Sequence, residues 1–234
     1  MADPGPLVIA HRGASSAHPP GNTLVAFRAA AELGADGVEL DVRRTADGEL
    51  VVHHDLELPD GRALITLTAD EVPDWVPSLR AALDTCAEVG LALVNVEIKN
   101  DPHEADFDER RDVVEAVLAT LDGFEPASIL ISSFDPESVA QVRRLDSPFP
   151  TALLVWDPAI LAASLDAAAA AGHVGVNPWS PYVDAALMEH ARRLGLAVNV
   201  WTVDDPAETT TLAGLGVSSI ITNVPDVTRA ALGR

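Results

Sequence analysis

Short apolar, β-branched runs recur eight times along the chain, and a longer Ala- and Leu-rich segment follows each. The runs cover 7–11, 37–42, 91–98, 128–132, 151–156, 174–177, 197–202 and 219–222. The segments after them, near 22–33, 78–89, 104–121, 136–145, 158–171, 183–194, 206–212 and 225–232, read as helices. Pro, Asn or Ser opens several of these segments, and Gly34, Gly90, Gly172 and Gly195 follow helices, as start and stop signals should. Eight strand–helix units in 234 residues predict an α/β chain, one domain over 1–234, closed into a TIM-type (β/α)8 barrel. An open doubly wound sheet is the alternative, but no Gly-rich dinucleotide fingerprint supports it. The second unit departs from the pattern. Between its strand and its helix, over about 43–77, lie a turn at Thr45-Ala46-Asp47-Gly48, an extra extended piece at 49–54 and a polar stretch at 58–75. A small insertion after the second strand, above the barrel mouth, is expected there.

The apolar runs end in charge. His11 and Arg12 close the first, Glu39 and Asp41 lie in the second, His54 closes the extra piece, and Glu97 and Lys99 close the third. Strand ends of this kind are where α/β proteins keep their chemistry. Glu39 and Asp41 flank Leu40, so their side chains share one strand face, roughly 7 Å apart. Like charges so close repel unless a cation or a proton lies between them. With Glu97 as a third carboxylate, the set suits a hard divalent ion such as Ca²⁺ or Mg²⁺. His11 and His54 form a natural acid–base pair. His53 alternates with His54 and should face the other way. Arg12 offers a planar fork to an anion and Lys99 a point charge, with ion pairs to the carboxylates as their structural role. Trp201, ending the seventh run, suits the wall of a ligand pocket. Asp135 is read as a helix cap and the lone Cys86 as a buried apolar residue.

Composition narrows the partners. The chain carries 36 Asp and Glu against 15 Lys and Arg, a formal net charge of −21. That balance argues against nucleic acid or an anionic membrane, because such partners need a basic footprint. No run reaches the roughly 18 apolar residues of a membrane span. The opening Met1-Ala2-Asp3-Pro4-Gly5-Pro6 has neither the basic start nor the apolar stretch of a secretory signal, so the cytoplasm is expected. A single Cys forms no internal disulfide.

Taken in order, His11-Arg12-Gly13, Asn22-Thr23-Leu24, Gly34-Ala35-Asp36, Glu39-Leu40-Asp41-Val42, Thr45 with Asp47-Gly48, His54-Asp55, Glu97-Ile98-Lys99, Ser133-Phe134, Trp201-Thr202-Val203 and Gly216 through Pro225 resemble the glycerophosphodiester phosphodiesterase family. The resemblance implies a TIM-type barrel with a small insertion after the second strand. It also implies metal-dependent hydrolysis of a small-molecule glycerophosphodiester to glycerol phosphate and an alcohol. Glu39, Asp41 and Glu97 would then be metal ligands, His11 and His54 the acid–base pair, Arg12 and Lys99 phosphate contacts, and Trp201 the lining of the glycerol end. Two positions depart from the pattern. Gly21 stands where relatives usually carry Glu, and Asn223 where they usually carry Asp. Both remove negative charge, and the loss at Gly21 is expected to loosen Arg12. Two other readings follow: a catalytically quiet phosphoester-binding protein, and a phosphodiester-cyclising lyase on the same scaffold.

Overall fold

Alternation of burial along the strands decides which way each side chain points. In β2 (Gly37–Arg44), Val38, Leu40 and Val42 join an apolar cluster with residues of α1 (Leu24–Glu32) and α2 (Leu79–Glu88). Glu39 and Asp41 therefore occupy the opposite, inward face. β4 (Leu93–Ile98) repeats the arrangement, with Val94, Val96 and Ile98 outward and Asn95 and Glu97 inward. In the computed structural model, which describes residues 5–234, such strands close into a barrel. The segment 1–4, part of the stretch that argues against a secretory signal, lies outside the described residues.

The remaining barrel strands are β1 (Leu7–His11), β5 (Ile129–Ser133), β6 (Thr151–Val155), β7 (Gly175–Pro178), β8 (Ala197–Val200) and β9 (Ser219–Thr222). They run parallel in the order β1-β9-β8-β7-β6-β5-β4-β2, and β1 pairs with β2 to close the ring. The expected (β/α)8 barrel is borne out. The outer layer is completed by α3 (Asp112–Thr120), α4 (Pro136–Arg144), α5 (Pro158–Ala170), α6 (Ala185–Leu194), α7 (Pro206–Leu215) and α8 (Pro225–Ala231). Two apolar clusters fill the space between ring and helices, one around β1, β2, β4 and β5, the other around β6 to β9. Side-chain caps start six of the eight helices among the described residues: Thr23, Ser78, Asp135, Asp157, Asp184 and Asp205 each accept a backbone N–H in the first turn. Among the described residues no helix is long and apolar enough to cross a membrane.

Several local expectations need correction: the helix read from 183 begins at Ala185, that read to 212 runs to Leu215, and the strand read to 202 ends at Val200. The helix read from residue 22 begins at Leu24, because Thr23 is its cap and Asn22 has a left-handed backbone, φ 54°. The strand read from 91 begins at Leu93. The helix read over 104–121 starts only at Asp112. Residues 104–111 form a loop because their acids are committed elsewhere: Glu104 and Asp106 both pair with the buried Arg43, at 2.9 and 2.8 Å, and Asp108 accepts the Val113 N–H at 2.9 Å. Helical propensity, worth a few tenths of a kcal/mol per residue, loses to buried charge pairing.

Between β2 and α2 the chain makes an antiparallel return, β3 (Leu50–Val52), on the outer end of β2. The turn is closed by Thr45, whose N–H donates to the Glu49 carbonyl, with Gly48 at φ 83°. Single turns of 3-10 helix at Leu64–Thr66 and Ala69–Glu71 follow. Val51, Leu58, Leu64, Leu67 and Val76 give this segment a small apolar cluster of its own.

Candidate active site

Register brings the charged strand ends together. β1 sets His11 beside Glu39, and β4 sets Glu97 beside Asp41. Glu39, Asp41 and Glu97 are all buried, and one carboxylate oxygen from each lies within 4.8 Å of the others. Asp41 is the most heavily partnered. It accepts from Asn22 Nδ2 at 2.7 Å and pairs with Lys99 Nζ at 3.0 Å and Arg12 Nε at 3.4 Å. Lys99 also donates to Glu97 Oε1 at 2.5 Å. Glu39 Oε2 accepts the Arg12 backbone N–H at 3.0 Å and lies 3.8 Å from His11 Nε2. The other Glu39 oxygen, Oε1, is buried without a hydrogen-bond partner.

The three acids titrate differently because their neighbours differ. Burial, with Asp41 and Glu97 adding repulsion, pushes the Glu39 carboxyl well above its ordinary range. Burial also raises Glu97, against the pull of Lys99. At Asp41 burial works in the same direction, but Lys99, His54, Arg12 and Asn22 together outweigh it and hold the carboxyl far below the carboxylate range. A cluster of this kind is short of positive charge at Glu39. The orphaned Oε1, the three hard oxygen donors and their spacing fit a divalent cation of the Ca²⁺ or Mg²⁺ type.

His11, Arg12, Glu39, Asp41, His54, Glu97, Lys99 and Trp201 line one cavity of about 120 Å³ at the C-terminal mouth of the barrel. Each residue given a catalytic, metal-binding or substrate role in the sequence analysis therefore lines it. Burial pushes the His11 imidazole down to about 4, with Arg12 adding to the effect. His54 is lowered too, by burial first and then by Lys99 and Arg12, while Asp41 and the hydrogen bond from its Nδ1 to Asp55 at 2.7 Å oppose the shift. His53 turns away as expected, packing its ring 5.8 Å from that of Trp75. Trp201 is fixed by its Nε1–H, which donates to the Asn177 carbonyl at 2.8 Å, and meets Phe134 edge-on at 5.6 Å.

Some lining residues escaped the reading of single residues. Phe134 walls the cavity under Trp201, and Lys99 Nζ stands 5.9 Å from its ring centre. Asn95 also lines it, with Oδ1 buried and unpartnered. The i, i+2 spacing to Glu97 could have found Asn95; nothing local marks Phe134 apart from ordinary core aromatics. Asn22 holds the base of the site: its N–H donates to the Arg12 carbonyl at 2.8 Å and its amide to Asp41.

Gly21 does not free the Arg12 main chain. That backbone is held by Glu39 and Asn22, and the Arg12 guanidinium faces Asp41 with Nε free of any hydrogen bond. Nor does Asn223 leave the mouth short of an acid, since its amide Nδ2 donates to Asp204 at 2.7 Å.

The sequence profile described as the glycerophosphoryl diester phosphodiesterase family matches residues 11–227. A Mycobacterium tuberculosis protein named probable glycerophosphodiester phosphodiesterase 1 is 34% identical, over 97% of this chain and 92% of its own length. A glycerophosphodiester phosphodiesterase of Caldanaerobacter subterraneus subsp. tengcongensis is 30% identical over 94% and 95%. Among solved structures, a glycerophosphodiester phosphodiesterase from Parabacteroides distasonis superposes with a TM-score of 0.83 at 26% identity, covering 98% of this chain and 97% of that one. An Oleispira antarctica phosphodiesterase, in complex with its product sn-glycerol-3-phosphate, shares the fold at a TM-score of 0.87, 22% identity and 98% coverage of both chains.

Proposed function

The chain belongs to the glycerophosphoryl diester phosphodiesterase family, and on that footing we propose that it is a metal-dependent enzyme hydrolysing glycerophosphodiesters to glycerol phosphate and an alcohol. One observation carries the reading: three buried carboxylates, two from β2 and one from its neighbour β4, converge within 4.8 Å in a cavity that two histidines also line.

Glu39, Asp41 and Glu97 hold the divalent ion, Ca²⁺ or Mg²⁺. When bound, the ion supplies Lewis-acid charge to a phosphoryl oxygen. Arg12 and Lys99 contact the phosphate. The buried Nε of Arg12 faces Asp41 Oδ2 at 3.4 Å, and a guanidinium has five N–H donors, so the remaining ones support a role on phosphate oxygens. Trp201, backed by Phe134, lines the glycerol end. His11 and His54 share the proton transfers: one accepts the proton of the attacking oxygen as it bonds to phosphorus, and the other protonates the alcohol oxygen as the second P–O bond breaks. In this reading the chain is one barrel domain, and the insertion over 43–77 serves to deliver His54 to the mouth. The substrate is a soluble small molecule, and cytoplasmic residence is part of the proposal; the buried, unpaired Cys86 is compatible with it.

The test is a panel of glycerophosphodiesters assayed with Ca²⁺, Mg²⁺ and Mn²⁺ in turn, followed by phosphorus NMR. A glycerol monophosphate signal is expected. A cyclic phosphate would indicate the lyase instead, and no turnover with any pair would leave the quiet binder. His11→Ala and His54→Ala are each expected to lower kcat by about two orders of magnitude or more. Full activity in both variants would remove the histidines from the chemistry.

A further inference from the structure

His11 is tied at its far nitrogen to a chain of groups that runs along the barrel rim over the neighbouring ends of β1, β9 and β8. His11 Nδ1 lies 2.8 Å from Asn223 Oδ1, which also accepts from Ser15 Oγ at 2.9 Å. The Asn223 amide is oriented from behind: its Nδ2 donates to Asp204 Oδ2 at 2.7 Å. Asp204 in turn is held in place, since its Oδ1 accepts the Asn223 N–H at 2.8 Å and the Thr222 hydroxyl at 3.0 Å. Turned over, the amide would set its oxygen against the Asp204 carboxylate, two acceptors at hydrogen-bond distance. The orientation with Oδ1 toward His11 is therefore the only one that pairs every group. An amide oxygen offers no proton, so the proton of a neutral His11 must sit on Nδ1. Nε2, 3.8 Å from Glu39 Oε2, then presents a lone pair on the side of the three carboxylates.

We infer that Asp204 and Asn223 act as a tautomer lock, Asn223 being a positioning residue that keeps the His11 Nε2 lone pair turned to the substrate and so makes His11 the proton acceptor of the pair. This rests on the hydrolytic reading above. In the forward step the attacking O–H gives its proton to Nε2 as the new O–P bond forms, and His54 gives a proton to the departing oxygen as the old P–O bond breaks. A carboxylate that holds the distal imidazole nitrogen plays the same part in serine hydrolases; here an amide is interposed and the carboxylate stands one residue further out.

Two measurements test the lock. Long-range ¹H–¹⁵N correlation of the histidine rings in the wild-type protein reads the tautomer directly, without needing turnover. Protonated Nδ1 at His11 is expected, and protonated Nε2 as the main neutral form would overturn the inference. The second is a swap. Asn223→Asp sets a carboxylate against Asp204, and kcat is expected to fall about ten- to a hundredfold with KM changed less than about twofold, a range typical of lost outer hydrogen bonds. Adding Asp204→Asn restores the donor–acceptor order, with the introduced carboxylate accepting from both sides, and should return kcat to within about threefold of wild type. A double variant that melts like the wild type yet remains as slow as the single one would also overturn it. If wild-type protein turns over no glycerophosphodiester, the enzymatic reading fails, while the ring spectrum still decides the lock on its own.

Discussion

Gly21 sits at φ +80°, and a Cβ there would lie 2.8 Å from Arg12 Cβ and 2.9 Å from both the Arg12 carbonyl oxygen and Ser15 Cβ. Substituting the Glu usual among relatives would therefore not recover a lost carboxylate. It would force a left-handed backbone on a residue that carries a Cβ and crowd Arg12. Gly21→Glu is expected to destabilise the protein by about 1–3 kcal/mol, read by urea denaturation, and to lower activity. Increased activity at unchanged stability would contradict this account. The same close quarters explain what could and could not be seen in the residues alone. Glu39 and Asp41 announce themselves, because two acids at i, i+2 inside a β-branched run leave only one inward face for both. His11, Arg12, His54 and Lys99 are marked by position at the ends of apolar runs. The bond between Asn223 and Asp204 is not legible this way: each belongs to a polar loop after a different strand, and only the parallel pairing of β8 with β9 makes them neighbours.

At the scale of elements, Arg43 shows how a strand residue can overrule a helix. It is 2% exposed, donates to the His54 carbonyl at 2.8 Å, and pairs with Glu104 and Asp106. Burial alone would lower its proton affinity, and the two carboxylates more than reverse that. It thus ties the inserted hairpin end to the loop after β4, on either side of the site. Arg43→Met leaves Asp106 buried without its cation and is expected to cost about 3–5 kcal/mol in chemical denaturation, with faster proteolysis within 104–111. A loss under about 1 kcal/mol would mean that the pairing is incidental. The helix read over 104–121 fails for this reason. Its acidic start has helical composition, but the partners that capture those acids lie some sixty positions earlier in the chain, beyond the reach of any local pattern. Elements set by local chemistry fared better: Asp135 caps α4 through the Glu137 and Ser138 N–H groups, as read from Ser133-Phe134-Asp135.

For the molecule as a whole, the alternation of apolar run and helix points to a parallel sheet buried on both faces, and eight repeats without a dinucleotide fingerprint favour the closed ring over the open doubly wound sheet. Its stability should depend on acid in a way that one buried histidine reports. His173, below the ring, shares a 2.7 Å hydrogen bond with Thr151. Burial, with Arg143 adding to it, keeps its imidazole below the ordinary value of 6.5. The folded state therefore binds a proton less readily than the unfolded chain. That contribution to stability is complete above about pH 6.5 and is lost as pH falls through the ordinary value toward the lowered one. In denaturation series from pH 7.5 to 5, wild type should lose more stability than His173→Gln does; equal slopes would show that His173 titrates alike in both states.

The central claim is that Glu39, Asp41 and Glu97 hold a divalent ion on which phosphodiester cleavage depends. It is tested most directly by release of glycerol phosphate from protein stripped with a chelator, before and after Ca²⁺ or Mg²⁺ is returned. The account predicts that turnover disappears on stripping and returns with the ion in wild type but not in Glu97→Gln. Turnover that survives stripping undiminished would contradict it.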